Sequence, residues 1–265
     1  MVVISTWTAV SLLSFGVSYH PISQRITRSE FCWDRGVSRA SSSAHGQLVG
    51  TGSFGNQGSL LMQDLSLRTY WDDFYASNSK TAEWHLTFDL LLEPLERLLV
   101  HPDSSTPILM VGCGTSTLSE SMHNHGWTNI TNIDYSDECI KRCQERNRSL
   151  VAGGGGHNGM SWLVMDVCNM TFDSNSFHAA IDKGTLDAIA CSEAFDWYLP
   201  RMAQELVRVL QAGGRWVCVS FTPPGLALPL LQEAKGWRVE VERLSSFWLY
   251  VGTKHGGCGG SATGS

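Results

Sequence analysis

Charge is scarce in this chain of 265 residues: Asp, Glu, Lys and Arg make up only 17%, and the formal net charge is −6. An acidic balance of that size gives no global attraction to a phosphate backbone, so a nucleic-acid partner is not expected. No run of about twenty apolar residues occurs, so no membrane-spanning segment is expected either. The eight cysteines (Cys32, Cys113, Cys139, Cys143, Cys168, Cys191, Cys218 and Cys258) contain no CxxC pair and no Cys/His group at zinc-ligand spacing. No metal is therefore expected. Cys139 and Cys143, four apart, share one face of a helix and read as small buried hydrophobes, which suits a reducing compartment. Acidic residues are missing before Glu30, while Arg25, Arg28, Arg35 and Arg39 lie among many hydroxyls. That is the composition of a mitochondrial presequence. The apolar stretch from Val2 to Tyr19 also has the length of a secretory signal, but no Lys or Arg precedes it. The expectation is the mitochondrial matrix, with the cytoplasm as the alternative.

Internal repeats are absent too, and what remains is alternation. Residues 1–64 carry loop chemistry and read as a leader with a flexible arm; 65–254 form one domain; the glycine-rich 255–265 read as a disordered tail. Leu86 to Val100 has a leucine stripe at helical steps, with Pro94 as a bend or break. Strands are expected at Ile108–Val111, Ile130–Ile133, Trp162–Met165, Phe177–Ile181 and Arg215–Phe221. Helices are expected at Thr115–His125, Asp137–Asn147 and Trp197–Leu210, the last stopped by Gly213-Gly214. Trp237–Leu244 and Phe247–Thr253 read as an antiparallel pair. The pattern predicts an α/β fold: a mostly parallel sheet, helices on both faces, and a closing C-terminal hairpin.

Four features then fall at successive strand ends. Gly112-Cys113-Gly114 follows the first strand, where missing side chains let a ligand approach the backbone. A pyrophosphate fingerprint needs a third glycine where Thr117 stands, so a smaller zwitterionic ligand is favoured. Asp134 ends the second strand, placed to accept from both hydroxyls of a ribose; Asp166 ends the third, placed for an exocyclic amine. Asp182 ends the fourth, beside the expected reaction centre. Any one of these acids alone reads as a solvated charge or a helix cap; together they mark the carboxyl edge where open α/β sheets bind ligands.

Tyr70-Trp71-Asp72-Asp73-Phe74-Tyr75, Glu83-Trp84, Val111-Gly112-Cys113-Gly114, Asp134-Tyr135-Ser136 and Asp182-Lys183-Gly184-Thr185-Leu186-Asp187-Ala188 resemble the seven-strand, class I protein-lysine methyltransferases. The resemblance covers residues 67 to 254, and the Asp-Lys-Gly-Thr-Leu-Asp stretch is its most specific part. Phe221 to Leu244, with Leu228-Pro229 and Gly236-Trp237, is most similar to the mitochondrial citrate synthase lysine methyltransferase. His85 departs from the pattern, standing where relatives often carry an aromatic, and Gly153–Gly156 enlarges a loop. The resemblance implies a Rossmann-like seven-stranded methyltransferase sheet and S-adenosylmethionine as cofactor. It places Trp71, Tyr75, Trp84, Gly112, Asp134, Tyr135, Asp166, Val167 and Lys183 around that cofactor, beside the turn residue Gly114, with Asp182 orienting the acceptor amine. A sulfonium is a cation drawn to ring faces, which gives the aromatics a physical reason; packing in the core is their other reading. The implied protein partner is citrate synthase, with elongation factor 1A as the alternative. A small-molecule methyltransferase or a non-catalytic scaffold on the same fold is also compatible, and a monomer is expected.

Overall fold

A computed structural model describes residues 65–78, 81–99, 105–152 and 159–256. The leader and arm expected over 1–64, the Gly153–Gly156 tract and residues 257–265 of the tail lie outside them. Two helices, α1 (Arg68–Ser77) and α2 (Phe88–Leu98), precede the sheet. Then come β1 (Ile108–Val111), α3 (Leu118–Asn124), β2 (Ile130–Asp134), α4 (Asp137–Ala152), β3 (Ser161–Val164) and β4 (Phe177–Lys183). The chain continues through α5 (Thr185–Ala190), α6 (Phe195–Val209), β5 (Leu210–Ser220), α7 (Pro224–Leu231), β6 (Trp237–Leu244) and β7 (Phe247–Lys254). The seven strands form one sheet in the order β3-β2-β1-β4-β5-β7-β6. Strands β1 to β5 are parallel, and β7 pairs antiparallel with both β5 and β6.

Strand β1 is buried at all four positions because both sheet faces are covered. Its side chains alternate: Leu109 and Val111 join the core under α5, α6 and α7, while Ile108 and Met110 join the core under α2, α3 and α4. Register sets Val111 opposite Ile133 on one side and Asp182 on the other. The carboxyl ends of β1, β2 and β4 therefore finish level, along one edge. Among the described residues no helix is long and apolar enough to cross a membrane.

Several boundaries differ from the sequence reading for identifiable reasons. Helix α3 starts at Leu118, not Thr115, because Gly114 to Thr117 remain a turn held from outside by Glu83. Pro94 neither breaks nor ends α2; it lies buried within it. Helix α6 ends at Val209, and residues 210–214 belong to β5 instead of a stop. There the β4–β5 register shifts between Phe177 and Ala179, and a Cβ on Gly214 would lie 2.8 Å from the His178 carbonyl oxygen. The glycines serve that crossing. Three helices, α1, α5 and α7, were not expected. The six-residue α5 is too short to show a period, and α7 is apolar on every side, with Pro224 at its first turn.

Gly252 in β7 faces two tryptophans. A Cβ there would meet the Trp237 ring at 2.5 and 2.6 Å and Trp216 at 3.3 Å. Gly252→Ala should therefore lower stability by about 1–3 kcal/mol through overpacking, read as a lower urea midpoint with an unchanged slope. An unchanged midpoint would refute this packing.

Candidate functional site

The level strand ends open into a cavity of about 1550 Å³. Single drug-sized ligands occupy roughly 300–1,000 Å³, so there is room for two reactants together. Its floor is the turn after β1. Gly112 and Gly114 have φ of +54° and +52°, a region that suits glycine. A Cβ on Gly112 would lie 2.0 Å from the Thr185 hydroxyl oxygen, and one on Gly114 would lie 3.0 Å from the Tyr75 hydroxyl. Both glycines thus let protein groups pack against the turn, in addition to leaving its backbone open to the cavity.

Asp134 anchors the turn. Its Oδ2 accepts from the Gly114 N–H and its Oδ1 from the Ser136 N–H, each at 3.0 Å. Burial raises its pKa to about 6 against the lowering effect of those two bonds. A carboxylate offers about four lone-pair sites, so two remain for a ligand. Tyr135, Asp166 and Val167 line the cavity beyond it. Strand β3 ends at Val164, so Asp166 sits two residues past the strand, exposed, accepting from the Cys168 N–H at 2.8 Å.

The opposite wall is aromatic and comes from the segment before the sheet. Trp71 and Tyr75 stack with centroids 5.8 Å apart, and Trp84 meets Trp71 edge-on at 6.1 Å. Phe74, not among the cofactor residues expected from the sequence, packs against both at 5.6 Å from Trp71 and 6.1 Å from Trp84. The Trp71 indole N–H donates to the Leu65 carbonyl at 2.6 Å. The buried Trp84 Nε1 has no partner, leaving a donor for a bound acceptor.

Lys183 is no solvated charge. Buried at the end of β4, its ammonium donates to the Trp84 carbonyl at 2.8 Å and to Glu83 Oε2 at 3.2 Å. Burial lowers its pKa while Glu83 opposes the shift. Glu83 also accepts from the Thr117 N–H at 2.5 Å and from the Ser116 hydroxyl at 3.0 Å. Burial disfavours its charge, yet Lys183, Thr117 and Ser116 together hold it below the usual carboxylate range. Four residues thus clamp the aromatic wall to the floor.

Asp182 departs from the role expected of it. It is fully buried, and its carboxylate is not on the cavity wall. Oδ1 accepts from the Thr185 and Leu186 N–H groups at 3.0 and 3.4 Å, capping the short helix α5. Burial, then the nearby Asp187, raises its pKa to about 7. The acid on the wall is Asp187, one turn further along. Its Oδ1 accepts from the Ser220 hydroxyl (2.6 Å), the Phe221 and Thr222 N–H groups (3.0 Å each) and the Thr222 hydroxyl (2.8 Å). Its Oδ2 lies 2.5 Å from His85 Nε2.

His85 completes this corner. Its ring stacks on Phe247 at 5.1 Å and packs tilted against Phe221 at 4.8 Å, and its Nδ1 is buried without a partner. Its φ of +66° is unusual for a residue with a side chain. With Nε2–H donated to Asp187, a neutral ring leaves a lone pair at Nδ1. The signal in the sequence was the histidine at an aromatic position, together with the final Asp of the Asp-Lys-Gly-Thr-Leu-Asp stretch.

The fold also gathers cysteines that sequence spacing kept apart. Among the described residues, the Sγ atoms of Cys113, Cys139 and Cys143 lie within 4.8 Å of one another, beneath the glycine turn. Hydrogen bonds from Cys113 and Cys139, then the Arg146 and Arg142 guanidinium groups, push the Cys143 pKa down against the effect of burial, while Cys113 and Cys139 are pushed up.

A family model described as a methyltransferase domain matches residues 109–218. The chain is 35% identical over 182 residues to the eEF1A lysine and N-terminal methyltransferase of Mus musculus, covering 67% of this chain and 25% of that one. It thus spans about a quarter of the length of such relatives. It is 33% identical over 166 residues to methyltransferase srdJ of Neurospora crassa, covering 61% of this chain and 68% of that one. The fold is also that of geranyl diphosphate C-methyltransferase from Streptomyces coelicolor, solved with S-adenosyl-L-homocysteine, at a TM-score of 0.53 and 10% identity over 71% of this chain and 97% of that one.

Asp182 gives a pH test. A buried acid with a raised folded pKa adds most stability below its unfolded value and loses that contribution as pH rises through the folded one. Here the window runs from the ordinary aspartate value of 3.8 to about 7. Asp182→Asn keeps an acceptor for α5 but removes the titration. Relative to wild type, the variant should gain stability across that window by a few kcal/mol, about 1.4 per pH unit. Urea unfolding at pH 4 and pH 8 reads the difference; parallel pH profiles would refute the assignment.

Proposed function

The chain belongs to the class I S-adenosylmethionine-dependent methyltransferases, and on that premise we propose that its methyl acceptor is a lysine amine on another protein. The observation that carries the reading is the His85–Asp187 pair on the wall of a cavity large enough for cofactor and side chain together. S-adenosylmethionine, when bound, supplies a methyl group on a positively charged sulfur. A lysine ammonium has no lone pair and must lose a proton before it can accept that group. In this reading His85 Nδ1 takes the proton, while Asp187 holds Nε2–H and so keeps the lone pair on Nδ1. The apolar rings of Trp84, Phe221 and Phe247 favour the neutral amine by desolvation. Asp134 is assigned to the ribose hydroxyls, Tyr135, Asp166 and Val167 to the base, and Trp71, Tyr75 and Trp84 to the sulfonium side. Gly112 and Gly114 carry the turn, and Lys183 acts as a positioning residue through Glu83.

Two protein acceptors follow from different observations. Elongation factor 1A is favoured by the activity of the relatives, and citrate synthase by the resemblance of residues 221–244. The mitochondrial leader remains part of the second reading. Purified chain with methyl-labelled cofactor should mark a lysine in one of these two proteins, located by mass spectrometry. Label confined to low-mass metabolites would overturn the protein-lysine reading.

Two variants test the residue roles. Asp134→Asn should weaken S-adenosylmethionine binding at least tenfold by calorimetry, since ribose hydroxyls would lose an ionised acceptor worth about 1.5–3 kcal/mol. Equal affinity would remove the ribose assignment. His85→Phe should lower kcat roughly 10²- to 10⁴-fold, the usual scale of a general base, with cofactor affinity unchanged. Undiminished turnover would dismiss His85 as the base.

A further inference from the structure

The thiols of Cys113, Cys139 and Cys143 play no part in methyl transfer as described, yet they are arranged with more order than packing alone requires. Cys139 and Cys143 lie one turn apart on the buried face of α4, and Cys113 projects from the glycine turn toward them. Cys113 also lines the cavity, so the cluster can be reached from it. The Cys143 thiol donates to the Gly114 carbonyl at 3.2 Å. Arg146 Nη2 lies 4.0 Å from the same sulfur, and the guanidinium also holds the Thr115 and Ser116 carbonyls at 2.9 and 3.1 Å.

We propose that Cys113, Cys139 and Cys143 form a three-thiolate site for one soft d¹⁰ cation of the zinc and copper(I) class. Thiolates select such ions over hard ones. Thiolate bonds to zinc are about 2.3 Å long, which sets sulfurs roughly 3.8 Å apart around a tetrahedral ion. The sulfurs here need to close by no more than about 1 Å from their 4.8 Å limit. Binding exchanges thiol protons for the cation, and the protons leave to solvent. Three thiolates around a divalent ion carry one net negative charge, which Arg146 faces. Removing the Cys143 proton also ends its bond to Gly114, so occupation loosens the turn that Asp134 anchors. By linkage, metal and S-adenosylmethionine should oppose one another.

The test uses the reduced 265-residue chain without cofactor. After Zn²⁺ or Cu⁺ is added and excess removed, elemental mass spectrometry should find one ion per chain for at least one of the two metals. X-ray absorption should show a sulfur shell of three. The Cys139→Ala/Cys143→Ala double variant, checked for folding by circular dichroism, should retain none, while Cys168→Ala, outside the cluster, retains the ion. A wild-type chain that keeps neither metal, or a shell of nitrogen and oxygen only, overturns the site; the absorption readout stands even where the double variant fails to fold. Saturating metal should weaken S-adenosylmethionine binding at least fivefold by calorimetry, and unchanged affinity overturns the coupling. Binding of cofactor to metal-free chain is read separately, so failure of the metal site is distinct from failure of the cofactor assignment.

Discussion

Asp134 makes the bonds on which the site depends. One carboxylate receives the backbone of the turn after β1 and the backbone of the turn after β2, so two loops from neighbouring strands are fixed to one side chain. Burying that carboxylate is unfavourable, and its raised pKa records the fact. The return is a rigid floor whose amides and remaining lone pairs hold their positions before any ligand arrives. Preorganisation of this kind reduces what binding must spend on ordering the protein.

The floor alone does not enclose a ligand. Enclosure comes from Glu83 and Lys183, which carry opposite charges from segments far apart in sequence and meet at the cavity edge. Half-buried ion pairs of this kind contribute little to stability when isolated, but here both partners hold backbone groups as well. Their effect is geometric: the Trp84 and His85 backbone is held against the end of β4. The left-handed conformation of His85 is a local strain that such restraint sustains.

Much of this was legible in the residues. Strands β1 and β4 showed themselves as short, mostly apolar runs punctuated by Gly or Asp, because strands covered on both faces have little room for polarity, and β2 as a pair of isoleucines closed by Asp134. The hairpin of β6 and β7 was legible from its alternation. The roles within the Asp182–Asp187 stretch were not. A rule about strand ends pointed to Asp182, but the first carboxylate past a strand can equally cap the helix that follows, and capping won. Asp187 sits within α5, a helix too short to announce a face. The cysteine cluster was invisible for a different reason: Cys113 reaches the Cys139–Cys143 pair only through the β1–β2–α4 connection, and no local spacing encodes that meeting.

The aromatic wall, the clamp residue Glu83 and His85 all precede residue 88, whereas the segment matched by the methyltransferase-domain model runs from 109 to 218. One wall of the cavity is thus built by chain that lies outside the segment matched by that domain model. A change in those residues would reshape the cavity without touching the sheet or its anchoring acid.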